Sequence, residues 1–201
     1  MADERTRKLE ELVREFLLLI GEDPNREGLR ETPARVAKMW LEELSAGYRE
    51  DPTTHLKTFT ASDAGLRSGI VVVRGVPVRS MCEHHLLPFF GYAHIAYVPD
   101  GRILGFSKFA RIVDTFARRL QVQERLTRQV ADFLYEELKP KGLIVLIDAV
   151  HTCALVRGVE EPMYLTTVEV RGIFRDDEAL RREALTLLQQ GGTVGLRYIQ
   201  E

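Results

Sequence analysis

The chain has 201 residues, 28 Lys and Arg against 30 Asp and Glu, a formal net charge of −2 and 45% apolar residues. One domain with a sizeable core suits that length, and the apolar share excludes wholesale disorder. Balanced charge excludes the broad basic field of a nucleic-acid or membrane-surface binder, and two cysteines cannot build a disulfide scaffold.

The first residues are charged and the first apolar run, residues 16–20, is too short for a signal core, so the sequence predicts a cytoplasmic protein. The longer uncharged stretch, residues 86–99, is interrupted by Pro88 and His94 and falls short of a membrane span. Leu9, Leu12, Val13, Phe16, Leu17 and Ile20 recur at helical spacing and predict an amphipathic helix over residues 4–20, stopped by Gly21 and Pro24. Thr32-Pro33 reads as a helix start with Thr32 as cap, and Val36, Trp40, Leu41 and Leu44 form that helix's apolar stripe. Residues 45–69 read as a polar linker around a strand at 56–60.

From Ile70 the texture turns to β, with strands expected over residues 70–78, 92–98 and 103–106. A helix capped by Ser107 follows, with Phe109, Ile112, Val113, Phe116 and Leu120 on one face. Val122, Leu126, Val130, Phe133, Leu134 and Leu138 mark a second helix that ends at Pro140. Residues 143–154 and 163–174 read as strands and 176–190 as a closing helix. Strands, a helix pair, then strands describe an α+β fold, an antiparallel sheet with paired helices on one face. The expected divisions are an N-terminal helical segment (1–50), a catalytic domain (51–190) and a tail (191–201). Neither the G-x-G-x-x-G nor the G-x-x-x-x-G-K-[ST] pattern occurs.

Both cysteines stand beside histidines, in Cys82-Glu83-His84-His85 and His151-Thr152-Cys153, which hold three of the five histidines. Thiolate and imidazole are the donors that suit zinc. Cys82 and His85 have the spacing for one turn to wrap a metal, and His151 and Cys153, two apart on an expected strand, would share a face. A closed Cys₂His₂ set of Cys82, His85, His151 and Cys153 would be structural. A Cys₂His set would leave a position open and release histidines as proton carriers. The spare histidines favour the second. A zinc deaminase is excluded by the lack of P-C-x-x-C and H-x-E.

After Ser107, Lys108 and Arg111 place cations on the first turns of a helix, where they oppose its dipole unless an anion binds, and Arg157 follows Cys153 closely. These cations near a metal suggest a polyphosphate substrate, against the plainer reading of the Ser107–Arg111 run as a solvated basic face. In Gln121-Val122-Gln123-Glu124-Arg125, Glu124 is either a surface acid or a carboxylate able to accept the paired N1–H and N2–H donors of guanine.

Ser80-Met81-Cys82-Glu83-His84-His85, Gly105-Phe106-Ser107-Lys108, Gln121 through Thr127, and His151-Thr152-Cys153 with Arg157-Gly158 together resemble GTP cyclohydrolase I. Upstream, Arg26-Glu27-Gly28-Leu29 and Thr32 through Met39 are similar to that family's N-terminal region. The resemblance implies the T-fold, assembled as a ring-shaped homodecamer with sites between subunits. It implies Cys82, His85 and Cys153 as Zn²⁺ ligands and His84 and His151 as catalytic residues. Glu124 with Gln123 would hold guanine, while Ser107, Lys108, Arg111 and Arg157 face triphosphate and ribose and Arg35 joins from a neighbouring subunit.

The implied reaction is attack of zinc-activated water on C8 of GTP, with His151 protonating N7, then release of formate and closure to dihydroneopterin triphosphate. Other readings of the residues are a nitrile reductase of the same fold, which would use a cysteine nucleophile without zinc, and a non-enzymatic zinc-stabilised binding module. Residues 154–156 and the charges of 167–171 depart from the family pattern.

Overall fold

The computed structural model describes residues 4–66 and 68–189, so the expected tail, 191–201, lies outside the described residues. The frame is a five-stranded sheet in the order β5-β2-β3-β6-β7. Its strands are β2 (Val71–Cys82), β3 (Pro88–Val98), β5 (Leu120–Gln121), β6 (Gly142–His151) and β7 (Tyr164–Gly172). The long pairings β2–β3, β3–β6 and β6–β7 are antiparallel, and only the two-residue β5 joins β2 in parallel. A separate small sheet pairs β1 (Thr58–Thr60) with β4 (Arg102–Leu104), which accounts for the two short strands expected there.

Helices α3 (Phe106–Ala117) and α4 (Gln123–Leu138) lie between β4 and β6 in the chain and cover one face of the sheet. Phe109, Ile112, Val113 and Phe116 of α3 and Leu126, Val130, Leu134 and Leu138 of α4 are buried against it. From the strands come Val73, Val76 and Val78, then Phe89, Ala93, Ile95 and Tyr97, then Leu143, Val145, Ile147 and Ala149. The period of two on the strands and of three to four on the helices therefore meet in one core.

The paired helices lie on one face as expected, and the opposite face is covered too. Beyond α6 (Ile173–Asp176), α7 (Glu178–Gln189) crosses β2 and β3. Ala184, Leu188 and Phe174 bury Ala96 and Ile144, residues of the other parity. Gly91 serves the β3–β6 contact: a Cβ there would stand 1.9 Å from the Asp148 carbonyl oxygen. Only glycine permits that approach.

Several local expectations are corrected. Thr32 is the first residue of α2 (Thr32–Lys38) rather than its cap, and Glu31 precedes it without a side-chain capping bond. Ser107 is likewise not a cap: α3 starts from Gly105, and Ser107 sits in its first turn. Residues 39–44 continue α2 as a π turn, and Ser45 N–H donates to the Trp40 carbonyl at 3.2 Å. Of the stripe on α1 (Glu4–Leu19), only Leu17 is buried, while Leu12, Phe16 and Ile20 stay exposed.

The charges on β7 have partners. Arg171, 13% exposed, donates to Asp132 of α4 at 2.7 and 3.0 Å and to Glu169 at 2.6 Å, tying the edge strand to the helix layer.

Candidate metal centre

The site lies at one end of β2, β3 and β6. β2 runs to Cys82, residues 83–87 turn the chain, and β3 leaves from Pro88. Cys82 N–H donates to the Leu87 carbonyl at 2.8 Å and Leu86 N–H to the Cys82 carbonyl at 2.9 Å, closing a tight turn with Leu86 left-handed at φ 56°. His85 is carried on that turn. β6 ends at His151, and the chain then coils into one helical turn, α5 (Thr152–Leu155), which carries Cys153. The expected strand through residue 154 therefore stops early, so His151 and Cys153 do not share a strand face. Thr152 Oγ1 donates to the Pro88 carbonyl at 2.6 Å and pins this turn to the hairpin.

These turns bring the ligand atoms of Cys82, His85 and Cys153 within 4.8 Å of one another. Two donors at about 2.0–2.3 Å from a tetrahedral zinc stand about 3.3–3.8 Å apart, so the group fits that ion in chemistry and in scale. Burial pushes the Cys153 thiol above its ordinary pKa, with further raising from Cys82, whereas Arg157 draws it down. Metal binding there must displace a thiol proton, and a cation stands close enough to help.

His151 takes no part in this group. Its Nε2 lies 2.9 Å from Gln123 Oε1, and its ring stacks on Phe89 at 4.5 Å and 7°. Burial pushes its pKa down, and the Glu124 carboxylate partly offsets this. His84 is exposed, with Nδ1 4.0 Å from Cys82 Sγ and Nε2 3.9 Å from a Glu83 oxygen. A second clamp holds the turn from below. Arg125 pairs with Glu83 and also donates to Gln121 Oε1 at 3.0 Å, and Glu83 N–H donates to the Gln121 carbonyl at 3.0 Å. The Arg125 hydrogen bond holds the Glu83 carboxyl below the usual carboxylate range.

At the start of α4 two neighbouring residues part company. Glu124 is exposed beside His151, while Gln123 is fully buried. Gln123 Nε2 donates to the carbonyls of Ile147 at 3.0 Å and Leu165 at 2.7 Å and to Thr167 Oγ1 at 3.2 Å. That amide is engaged by the sheet and by His151.

Ser107 and Lys108 lie in the first turn of α3, whereas its far end abuts the metal end, where Ser80 Oγ donates to the Ala117 carbonyl at 2.7 Å. A helix of that length spans about 18 Å, so one chain does not bring these two residues to the Cys/His group. Arg111 is exposed one turn along α3. Arg35 is paired with Glu31, the residue before its own helix, and that helix packs on α1. Phe89, Arg125 and the bonds of Gln123 to the sheet and to His151 escaped the sequence reading. One signal was available: Gln123 falls on the same stripe as Leu126, Val130 and Leu134, a polar residue on a buried face.

Residues 9–189 match the family model described as GTP cyclohydrolase I. A GTP cyclohydrolase 1 from Clostridioides difficile (strain 630) is 51% identical over 183 residues, which is 90% of this chain and 95% of that protein. The chain belongs to the GTP cyclohydrolase I family. Another GTP cyclohydrolase 1, from Carboxydothermus hydrogenoformans, is 50% identical over 90% of this chain and 93% of its own length. One from Streptococcus agalactiae serotype V is 48% identical over 92% and 97%. The crystal structure of an archaeosine synthase QueF-like protein in its apo form overlaps 51% of this chain and 93% of its own, at 17% identity and a TM-score of 0.42. Family membership makes the chain an enzyme, and its Cys82–His85–Cys153 group is able to hold a metal. Among the described residues no helix is long and apolar enough to cross a membrane.

Proposed function

We propose that this GTP cyclohydrolase I family member is a cytoplasmic, Zn²⁺-dependent enzyme that opens the imidazole ring of GTP at C8. It releases formate and forms 7,8-dihydroneopterin triphosphate, at the entry to folate and pterin synthesis. The observation that carries the reading is the gathering of Cys82, His85 and Cys153 from two distant segments, with His151 held beside them by other bonds.

Cys82, His85 and Cys153 would hold the zinc ion. Zinc bound there supplies a Lewis acid that brings the pKa of water down to about 7. Glu124 accepts N1–H and N2–H of guanine and so seats the purine next to His151. His151 gives a proton to N7 as C8 is attacked, and because burial disfavours its charged form the imidazolium releases that proton readily. His84, exposed to solvent, takes and returns protons during the second hydrolysis. Arg157 meets the substrate's phosphates from the segment after Cys153.

Ser107, Lys108, Arg111 and Arg35 complete the phosphate and ribose contacts from neighbouring copies. The distance between the first turn of α3 and the metal end supports this placement, and so does the exposed apolar side of α1. The working unit is therefore a homo-oligomer, a decamer in the family's pattern. Residues 51–190 form the catalytic unit, preceded by a helical segment over 1–50.

Zinc added stepwise to metal-free protein, with formate measured from GTP, tests the reading. Formate release rises with occupancy and saturates at one zinc per chain. A zinc-loaded oligomer that yields no formate overturns it.

A further inference from the structure

His151 is held from two sides, and the chemistry of Gln123 decides which ring nitrogen bears the proton. The two nearest partners of Gln123 Nε2 are the carbonyls of Ile147 and Leu165, which only accept. Turning the amide over would set its oxygen against both, so the nitrogen faces the sheet and Oε1 faces His151. Thr127 O–H donates to the Gln123 backbone carbonyl at 2.8 Å, and Thr167 O–H then donates to Thr127 Oγ1 at 2.6 Å. That leaves Thr167 Oγ1 to accept from the amide nitrogen and fixes the same orientation.

Oε1 only accepts, so the contact at 2.9 Å requires a proton on His151 Nε2. The stacked Phe89 ring fixes the imidazole plane. We propose that Gln123 is a positioning residue for His151: it locks the Nε2–H tautomer and leaves Nδ1 as the nitrogen that exchanges a proton with substrate. This rests on the proposed function, and it removes Gln123 from the guanine ligands. Glu124 and Gln123 thus divide two tasks between neighbouring positions, one outward to the base and one inward to the acid.

The test uses full-length, zinc-loaded enzyme labelled with ring-¹⁵N histidine, as wild type, Gln123→Met and His151→Asn. Solid-state NMR above neutral pH shows in the wild type an Nε2–H, Nδ1-bare imidazole whose signals vanish in His151→Asn. In Gln123→Met those signals divide between the two tautomers. Formate release then falls at least about tenfold in kcat, with KM for GTP held within about twofold and zinc content unchanged. A wild-type His151 protonated at Nδ1 overturns the proposal, and that spectrum decides even if Gln123→Met does not fold. An unchanged kcat with a raised KM also overturns it and makes Gln123 a guanine ligand. Wild-type enzyme that releases no formate defeats the proposed function instead, while the NMR spectrum still decides the tautomer.

Discussion

Cys153 and His151 stand two residues apart and are given separate tasks by where their polar atoms go. Cys153 turns to Cys82 and His85, and His151 turns to Gln123. Cys153→Ala is therefore expected to lose both zinc and turnover. His151→Ala keeps its zinc while formate release falls about 10²–10⁴-fold, the usual contribution of a positioned acid. Metal analysis and turnover on the two variants check this, and a His151→Ala protein without zinc would point to the closed four-ligand centre. His94 presents a separate case. Its buried Nδ1 has no hydrogen-bond partner among the described residues. Burial lowers its pKa below the ordinary 6.5, with Asp148 opposing the shift and Arg74 adding to it. The unfolded chain thus binds more protons between the depressed value and 6.5, so stability is full above 6.5 and declines as pH falls through that window. Thermal melts are expected to show a smaller loss of Tm on acidification in His94→Leu than in the wild type. Equal losses would remove His94 from the account.

The β2–β3 hairpin is the element on which the metal centre depends, and it is clamped from α4. Arg125 reaches back to Glu83 inside the ligand turn, while β5 pairs Gln121 beside Cys82. Arg125→Ala frees that turn and is expected to weaken zinc binding about tenfold, the scale of a lost outer-shell partner. Chelator competition measures it, and unchanged affinity would show that β5 alone holds the turn. The elements themselves were largely legible. The stripes of α3 and α4 and the Val-rich and aromatic strands carry periods that only burial produces, and donor type marks Cys82, His85, His151 and Cys153 as the candidate ligands, of which Cys82, His85 and Cys153 come together. What could not be read is what tertiary contact decides. Cys153 leaves the strand because Thr152 bonds to Pro88, and Gln123 turns inward because Ile147 and Leu165 present carbonyls to it. Arg125 is an ordinary helix residue until the hairpin brings Glu83 to it.

At the scale of the molecule, one chain leaves its own features unfinished. Much of the α1 stripe that its period marks as apolar is exposed, with Phe16 at 57%, and the edge strand β7 leaves Tyr164, Leu165 and Val168 uncovered. Surfaces of that kind are the ones oligomers bury. The proposed homo-oligomer takes Ser107 and Lys108, in the first turn of α3 and so away from its Ala117 end beside Ser80, from another copy. Co-assembly of Cys153→Ala chains with Lys108→Ala chains is therefore expected to restore a measurable fraction of turnover that neither variant shows alone. Mixed oligomers without activity would place the whole site within one chain.

The central claim is that the bond broken lies at C8 of the guanine ring. Incubation of the zinc-loaded oligomer with GTP carrying ¹³C at C8, followed by ¹³C NMR, tests it most directly. The account predicts that the label leaves as formate, one for each GTP consumed; label retained in the nucleotide, or phosphate released with the purine intact, would contradict it.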